Sequence, residues 1–345
     1  MSRKRELSPR EARDRFLARR QQRQTEKTVR SYRNRLTRFV HWAESEGIES
    51  MSELSGWDLD EYQAYREAQG VAPATLKGQL MALKQLLDYC VRIEVVDEEI
   101  ADKLEIPKLT PEEETSDKNL ASEEALSLLT FYRESHQFYA TPEHTFLEVA
   151  WHTGARISGL RALDLGDFDP DQQSLEFHHR PPKTGLKNKK SGERVVGINA
   201  TVVSVLQTYI ARERFDKRDD DGREPLFSCR QGRPSDSTIR AWSYRGTQPC
   251  VYRDCPHGNE RRSCEFTHRN HASKCPSSRS PHAIRTGSIT WQLDVGIPIE
   301  LVAERVNATP QTIRRYYDKA DEQERFRLRR RELSTNLDIE NDDNE

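Results

Sequence analysis

The sequence predicts a mainly α-helical chain in two domains: an all-helical N-terminal domain, then a mixed, mostly helical domain carrying a small antiparallel sheet. Three observations predict it. Apolar residues recur at three and four positions through most of the first hundred residues, a proline- and acid-rich stretch near residue 110 interrupts them, and two short strand-like runs further on flank a basic turn. With 345 residues, the chain is long enough for two cores.

From Thr28 onward, Val29, Tyr32, Leu36, Phe39, Val40 and Ala43 keep a helical period, and Gly47 stops it. A second helix covers "WDLDEYQAYREAQG", with Ser55 or Asp58 at its start and Gly70 at its stop. The third, "APATLKGQLMALKQLLDYCVRIEVV", carries Leu76, Leu80, Leu83, Leu86 and Leu87 as one stripe. Residues 25–106 therefore form a helical unit, preceded by a basic arm over residues 1–24. "PKLTPEEETSDKNL" has no apolar period, so residues 107–119 read as an exposed linker. The second domain spans residues 120–333, with a cysteine-rich insert at 249–276, and residues 334–345 form an acidic, disordered tail. Within it, helices are expected at "SEEALSLLTFYRES", "EHTFLEVAWHTGARISGLRAL", "ATVVSVLQTYIARERF", residues 282–294 and from Ile299 onward, with strands at "QSLEFHHR" and "GERVVGIN".

A formal net charge of -2 hides a strong asymmetry along the chain. Residues 1–38 hold fourteen Lys/Arg against four Asp/Glu, and "HRPPKTGLKNKKSGER" and "RFRLRRR" (325–331) add basic runs that would release counterions on meeting phosphate. No apolar run approaches the roughly 20 residues needed to span a bilayer, and the opening residues lack the apolar stretch of a secretory signal. The expectation is a cytoplasmic protein without membrane contact.

Five residues of the second domain together fit phosphodiester chemistry: Arg156 in "TGARIS", Lys183 in "PPKTG", His282 and Arg285 in "HAIR", and a tyrosine of "YYDKA". Singly, none is informative: an arginine reads as a solvated face or a surface ion pair, and the tyrosines as a buried aromatic pair. Cutting a DNA strand needs a nucleophile, charge to stabilise two non-bridging oxygens, and a proton for the leaving 5′-oxygen. Two guanidinium forks donate paired hydrogen bonds to phosphate, and their charge is in place before the reaction begins. A lysine on a basic turn is suited to protonate the leaving oxygen, and His282, titrating near neutrality, to manage the tyrosine proton. A tyrosine would become the covalent phosphoester. His282 and Arg285 stand at i and i+3, sharing a face if Pro281 opens a helix.

These motifs, in this order, resemble those of the tyrosine recombinases, the family of the phage-type integrases and the resolvers of chromosome dimers. The resemblance covers the family's catalytic domain over roughly residues 120–320, and the helical unit before it resembles the family's core-binding domain. It implies the tyrosine recombinase fold and a site-specific recombinase that cleaves and rejoins double-stranded DNA through a 3′-phosphotyrosine, without ATP or a catalytic cofactor, in integration, excision or dimer resolution. It implies Arg156, Lys183, His282 and Arg285 as catalytic residues and Tyr317 as nucleophile, with Tyr316 the competing candidate, and a monomer that becomes a homotetramer on paired DNA sites. Two positions depart from the family. "RVNATP" leaves Asn307 or Ala308 where a Gly-His pair is usual; Asn307 is a replacement that can donate a hydrogen bond but cannot act as an acid. Gly159 stands where an acid is usual, three residues beyond Arg156. A non-catalytic DNA-binding protein on the same fold, and a type IB topoisomerase-like enzyme, are the other readings.

The insert crowds Cys250, Cys255, Cys264 and Cys275 together with His257, His268 and His271. In a reducing compartment such crowding points to structural zinc on the four thiolates, with His257 as an alternative ligand. Unliganded cysteines and redox chemistry are the other readings. The insert's Arg253, Arg261, Arg262, Arg269 and Lys274 either meet DNA or are simply solvated.

Overall fold

The apolar stripes close into separate cores. The computed structural model describes residues 6–110, 113 and 118–317, and the chain divides into two units, Met1–Ser116 and Asp117–Glu345.

The first unit consists of α1 (Pro9–Gln21), α2 (Glu26–Ser45), α3 (Gly56–Ala68) and α4 (Pro73–Arg92). Its core gathers Leu36, Phe39 and Val40 of α2, Leu59 and Tyr62 of α3, and Leu80, Leu83 and Leu87 of α4. Residues 9–21, which the sequence placed in a basic arm, are instead α1, a member of this core. Ser8 and Glu11 form a reciprocal capping box at its start, with Pro9 in its first turn. Ala12, Phe16 and Leu17 are buried. The arginines conceal this narrow stripe in the sequence because their stems lie along it: the Arg20 guanidinium covers the rings of Phe16 and Tyr32 at 4.5 and 4.2 Å. Ser55 caps α3, with Asp58 returning the bond to the Ser55 amide.

In the second unit, α5 (Ser122–Glu134), α6 (Pro142–Thr153) and α7 (Ile157–Ala162) precede three strands, β1 (Phe168–Asp169), β2 (Ser174–Phe177) and β3 (Arg194–Gly197). Helices α8 (Ala200–Arg212), α9 (Asp236–Gly246), α10 (Pro281–Asp294), α11 (Ile299–Val306) and α12 (Pro310–Tyr316) follow. The sheet has the order β1-β2-β3, antiparallel throughout, with Leu175 opposite Val196 and both facing the core. A single apolar stretch yields both α6 and α7 because Gly154 takes a left-handed conformation, φ 56°, and ends α6. Close approach also demands a glycine there, since a Cβ would stand 2.8 Å from Val306 Cγ1 of α11. Another close approach is at Gly287 of α10, where a Cβ would stand 1.9 Å from the Leu120 carbonyl oxygen.

The insert folds as short 3-10 turns at Pro249–Val251, Glu265–Thr267 and Ala272–Lys274. The structure does not support the zinc site expected there. Among the described residues no three His, Cys, Asp or Glu side chains are grouped so as to hold a metal ion. Cys250, Cys255, Cys264 and Cys275 are free thiols; Cys275 is buried, the Cys250 sulfur accepts from Arg261 Nη1 at 3.1 Å, and His257 pairs with the Ser277 hydroxyl at 2.9 Å. Anchors that composition understated hold the segment. Val251 and Tyr252 pack on the main core, Ala272 is fully buried, and the Ser278 hydroxyl donates to the carbonyls of Ala272 and Cys275, each at 2.9 Å. No described helix is long and apolar enough to cross a membrane. The basic run 325–331, the acidic tail 334–345 and part of the 107–119 linker lie outside the described residues.

Gly287 seats α10, and so Arg285, against Leu120 and Trp151. Gly287→Ala is expected to cost about 1–3 kcal/mol by overpacking. A urea melt shows this as a lower midpoint, whereas Gly166→Ala, whose Cβ would meet nothing within 4 Å, leaves the midpoint close to wild type.

Candidate active site

Helices α6 and α11 end side by side, and the last carbonyls of any helix lack partners within it. Four arginines supply those partners here. Arg285 Nη1 donates to the carbonyls of Gly154 and Val306, at 2.6 and 2.7 Å. Arg305 Nη2 donates to that of His152 at 2.8 Å, Arg194 Nε to that of Arg305 at 2.7 Å, and Arg156 Nη1 to that of Asn307 at 2.5 Å. Helix C-termini carry partial negative charge, which suits guanidinium groups.

Arg285 is the most deeply placed, only 2% exposed. Its Nε and Nη2 are buried without a hydrogen-bond partner. Burial, and then the nearby Arg156 charge, holds Arg285 down to about 10, so it remains a cation at neutral pH. Arg194 is likewise pushed down to about 10 by burial and by Arg285, Arg156 and Arg305. Arg156, half-buried at the start of α7, is lowered by burial.

Tyr317 closes the group. It ends α12, is 7% exposed, and its carbonyl accepts from Thr290 Oγ1 at 3.2 Å. Its ring centre lies 5.9 Å from the Arg285 guanidinium carbon and 6.3 Å, edge-on, from the His282 ring. Tyr316 packs on the cluster of α10, α11 and α12, with the Arg315 guanidinium over its ring at 5.1 Å. His282 sits in the first turn of α10, one turn before Arg285, with solvent on its outer side. Partial burial, followed by the charges of Arg285, Arg156 and Lys187, lowers its pKa.

Thus Arg156, His282, Arg285 and Tyr317 come together, and Asn307 joins them. Asn307 adopts a left-handed conformation, φ 54°, which asparagine tolerates better than most residues. Its Oδ1 accepts from Asn188 at 2.7 Å and its Nδ2 lies against Gly192, while the residue lines the cleft that Arg156 also lines. Lys183 stands apart from this group: its ammonium lies on Asp220 and Asp221, at 3.3 and 3.2 Å, and these carboxylates raise its pKa. The lysine that lines the cleft is Lys187, four residues on in the same turn, together with Arg194 of β3. Both residues were passed over in the sequence. Lys187 is one of several lysines in a basic turn, and only the fold shows which borders the cleft. Arg194 did carry a signal, because strand alternation puts it on the face of Val196, away from exposed Val195. Gly159 also lines the cleft, and a Cβ there would lie 3.3 Å from Phe177. An acidic side chain would press on that ring.

Two family models match the chain: the phage integrase N-terminal SAM-like domain over residues 14–94 and the phage integrase family over residues 118–323. Tyrosine recombinase XerC of Actinobacillus pleuropneumoniae is 25% identical over 214 residues, 62% of this chain and 64% of that protein. Tyrosine recombinase XerD of Mycobacterium tuberculosis is 25% identical over 302 residues, 84% of this chain and 86% of that protein. Across the first three curated relatives, the chain spans 64%, 46% and 66% of their length. Among solved structures, the Tn1549 transposon integrase in complex with a circular intermediate DNA shares the fold, with a TM-score of 0.67 and 17% identity over 95% of this chain and 99% of that one. A lambda integrase dimer bound to a COC′ core site gives 0.59 at 13% identity, over 94% and 78%. With one family model spanning most of the second unit and another most of the first, the chain belongs to the phage integrase family, that of the tyrosine recombinases.

Proposed function

We propose that the protein is a site-specific DNA recombinase that cuts and rejoins duplex DNA through a covalent link to Tyr317. The observation that carries the reading is Arg285, a buried cation with two unpartnered donors beside a buried tyrosine and a second arginine. A buried polar group without a partner is costly, and a phosphate oxygen would supply the partner. Arg156 and Arg285 hold the non-bridging oxygens, with Arg194 adding charge and Asn307 Nδ2 a neutral donor. The Tyr317 oxygen attacks phosphorus; the bond to the 5′-oxygen breaks as the bond to the tyrosine oxygen forms. His282 takes the phenolic proton, and Lys187 gives one to the departing 5′-oxygen. Attack by a 5′-hydroxyl of another strand reverses these steps, so the phosphotyrosine conserves the bond and no ATP is required. Paired cleavage sites call for several subunits, a monomer in solution gathering as a tetramer on two DNA sites, at work in the cytoplasm where its substrate is.

The test is a nicked duplex carrying candidate sites from the flanks of the protein's own gene, resolved by denaturing electrophoresis and peptide mapping. A protein–DNA adduct on Tyr317, absent in Tyr317→Phe and retained in Tyr316→Phe, is expected. Specific binding without an adduct would favour a non-catalytic binder, with Asn307 in place of an acid as the cause. Equal capture of random DNA would favour a topoisomerase-like enzyme.

Lys187→Ala is expected to slow cleavage by about 10²–10⁴-fold, the range of a lost general acid, while Lys183→Ala stays within a few-fold of wild type. A substrate whose 5′-bridging oxygen is replaced by sulfur needs no proton on its leaving group. It should rescue Lys187→Ala, and no rescue would return the acid to another residue.

His282 is expected to titrate below the usual value of about 6.5. Its imidazole is therefore neutral, and able to accept a proton, to lower pH than a free histidine. Arg156→Gln removes a neighbouring positive charge and moves the midpoint upward, read by NMR of the ring protons.

A further inference from the structure

A cleft of about 410 Å³ opens between α9 and the cysteine-rich insert. Ser237, Arg240 and Tyr244 line it from the helix, and Arg269, Asn270 and Ser273 from the insert. Each of these side chains is a hydrogen-bond donor, two of them are permanent cations, and among the described residues no carboxylate lines the space. Ser237, Arg240 and Tyr244 stand three and four residues apart, so one helical face presents all three. The insert's contribution is held in place: Arg269 Nη2 donates to Thr238 Oγ1 in the first turn of α9, at 2.8 Å. Three acids on or beside these elements have other partners. Asp236 faces Arg161 at 3.7 Å, Glu143 faces Arg245 at 3.2 Å, and Glu265 faces His271 at 3.5 Å.

We propose that this cleft receives a phosphodiester of the DNA backbone, which makes the insert a second hold on DNA in addition to the cleavage site. Two guanidinium forks from different elements can converge on one tetrahedral anion, with hydroxyls completing its shell. The insert is anchored through Tyr252, Ala272 and Ser278, so its arginine meets phosphate already positioned. The proposal rests on the reading of the protein as a DNA-acting enzyme, and concerns where it holds the strand rather than how it cuts it.

The experiment compares the full-length protein with its Arg240→Gln/Arg269→Gln variant, measuring duplex affinity across a series of salt concentrations together with the rate of Tyr317 adduct formation at saturating DNA. Losing one phosphate contact should reduce the slope of log affinity against log salt by about 0.9. Affinity should fall alike on cognate and unrelated duplexes, and the adduct rate at saturation should hold. Arg269→Lys, which keeps the charge, should retain the slope, and equal heat-melting midpoints exclude misfolding. An unchanged slope and affinity, in a protein that still forms the adduct, would overturn the phosphate hold alone. Loss confined to one DNA sequence at an unchanged slope would make Arg240 a reader of base edges and would also overturn it. A wild-type protein that neither binds DNA nor forms the adduct would overturn this proposal and the recombinase reading together.

Discussion

Two helices that stop at the same place have more bare carbonyls than their own backbones can satisfy, and the second unit is organised around that shortage. Helix α6 ends at Gly154 and α11 at Asn307, both in left-handed conformations. The carbonyls at these ends accept from Arg285, Arg305, Arg194 and Arg156. The arginines are thus part of the packing before they are part of any chemistry. Gly154 is bound into this arrangement twice: a Cβ would strike Val306, and its carbonyl is one of the two acceptors that fix Arg285.

Capping uses only some of each guanidinium's donors. Arg285 keeps two in reserve, both buried, and the charges of Arg285 and Arg156 press on Arg194 as that of Arg156 presses on Arg285. Such a group is expensive when empty and becomes favourable when an anion enters. Substituting any of these residues therefore disturbs helix packing as well as phosphate affinity, and melting curves belong beside every rate measurement on them. Tyr317 and His282 stand at the rim of this charge, on the ends of α12 and α10 that the same packing brings together.

The insert follows a different physical rule. Its cysteines invited a metal because so polar a segment looked unable to hold a conformation alone, yet the segment has well-placed anchors of its own. Tyr252 reaches the Phe131 ring at 6.3 Å, Gln248 donates to the Phe266 carbonyl at 2.6 Å, and Ala272 is sealed beneath. Composition averages over such anchors, and position in the fold does not.

Local periodicity alone determined much of this protein. The helical stripes of α2, α4, α5 and α8 and the alternation of β2 and β3 are repeats within a few residues, so they are legible in the chain, as are the ordered motifs that hold Arg156, His282, Arg285 and Tyr317. Tertiary structure decided everything that depends on residues far apart. It turned the basic start into α1, because Phe16 and Leu17 find a core contributed by other helices. It placed Lys187 rather than Lys183 in the cleft, because Asp220 and Asp221, more than thirty residues away, engage the Lys183 ammonium. Among the described residues it also groups no three of the insert's Cys and His side chains so as to hold a metal ion, because what encloses each thiol is set by packing across the insert and not by spacing along it.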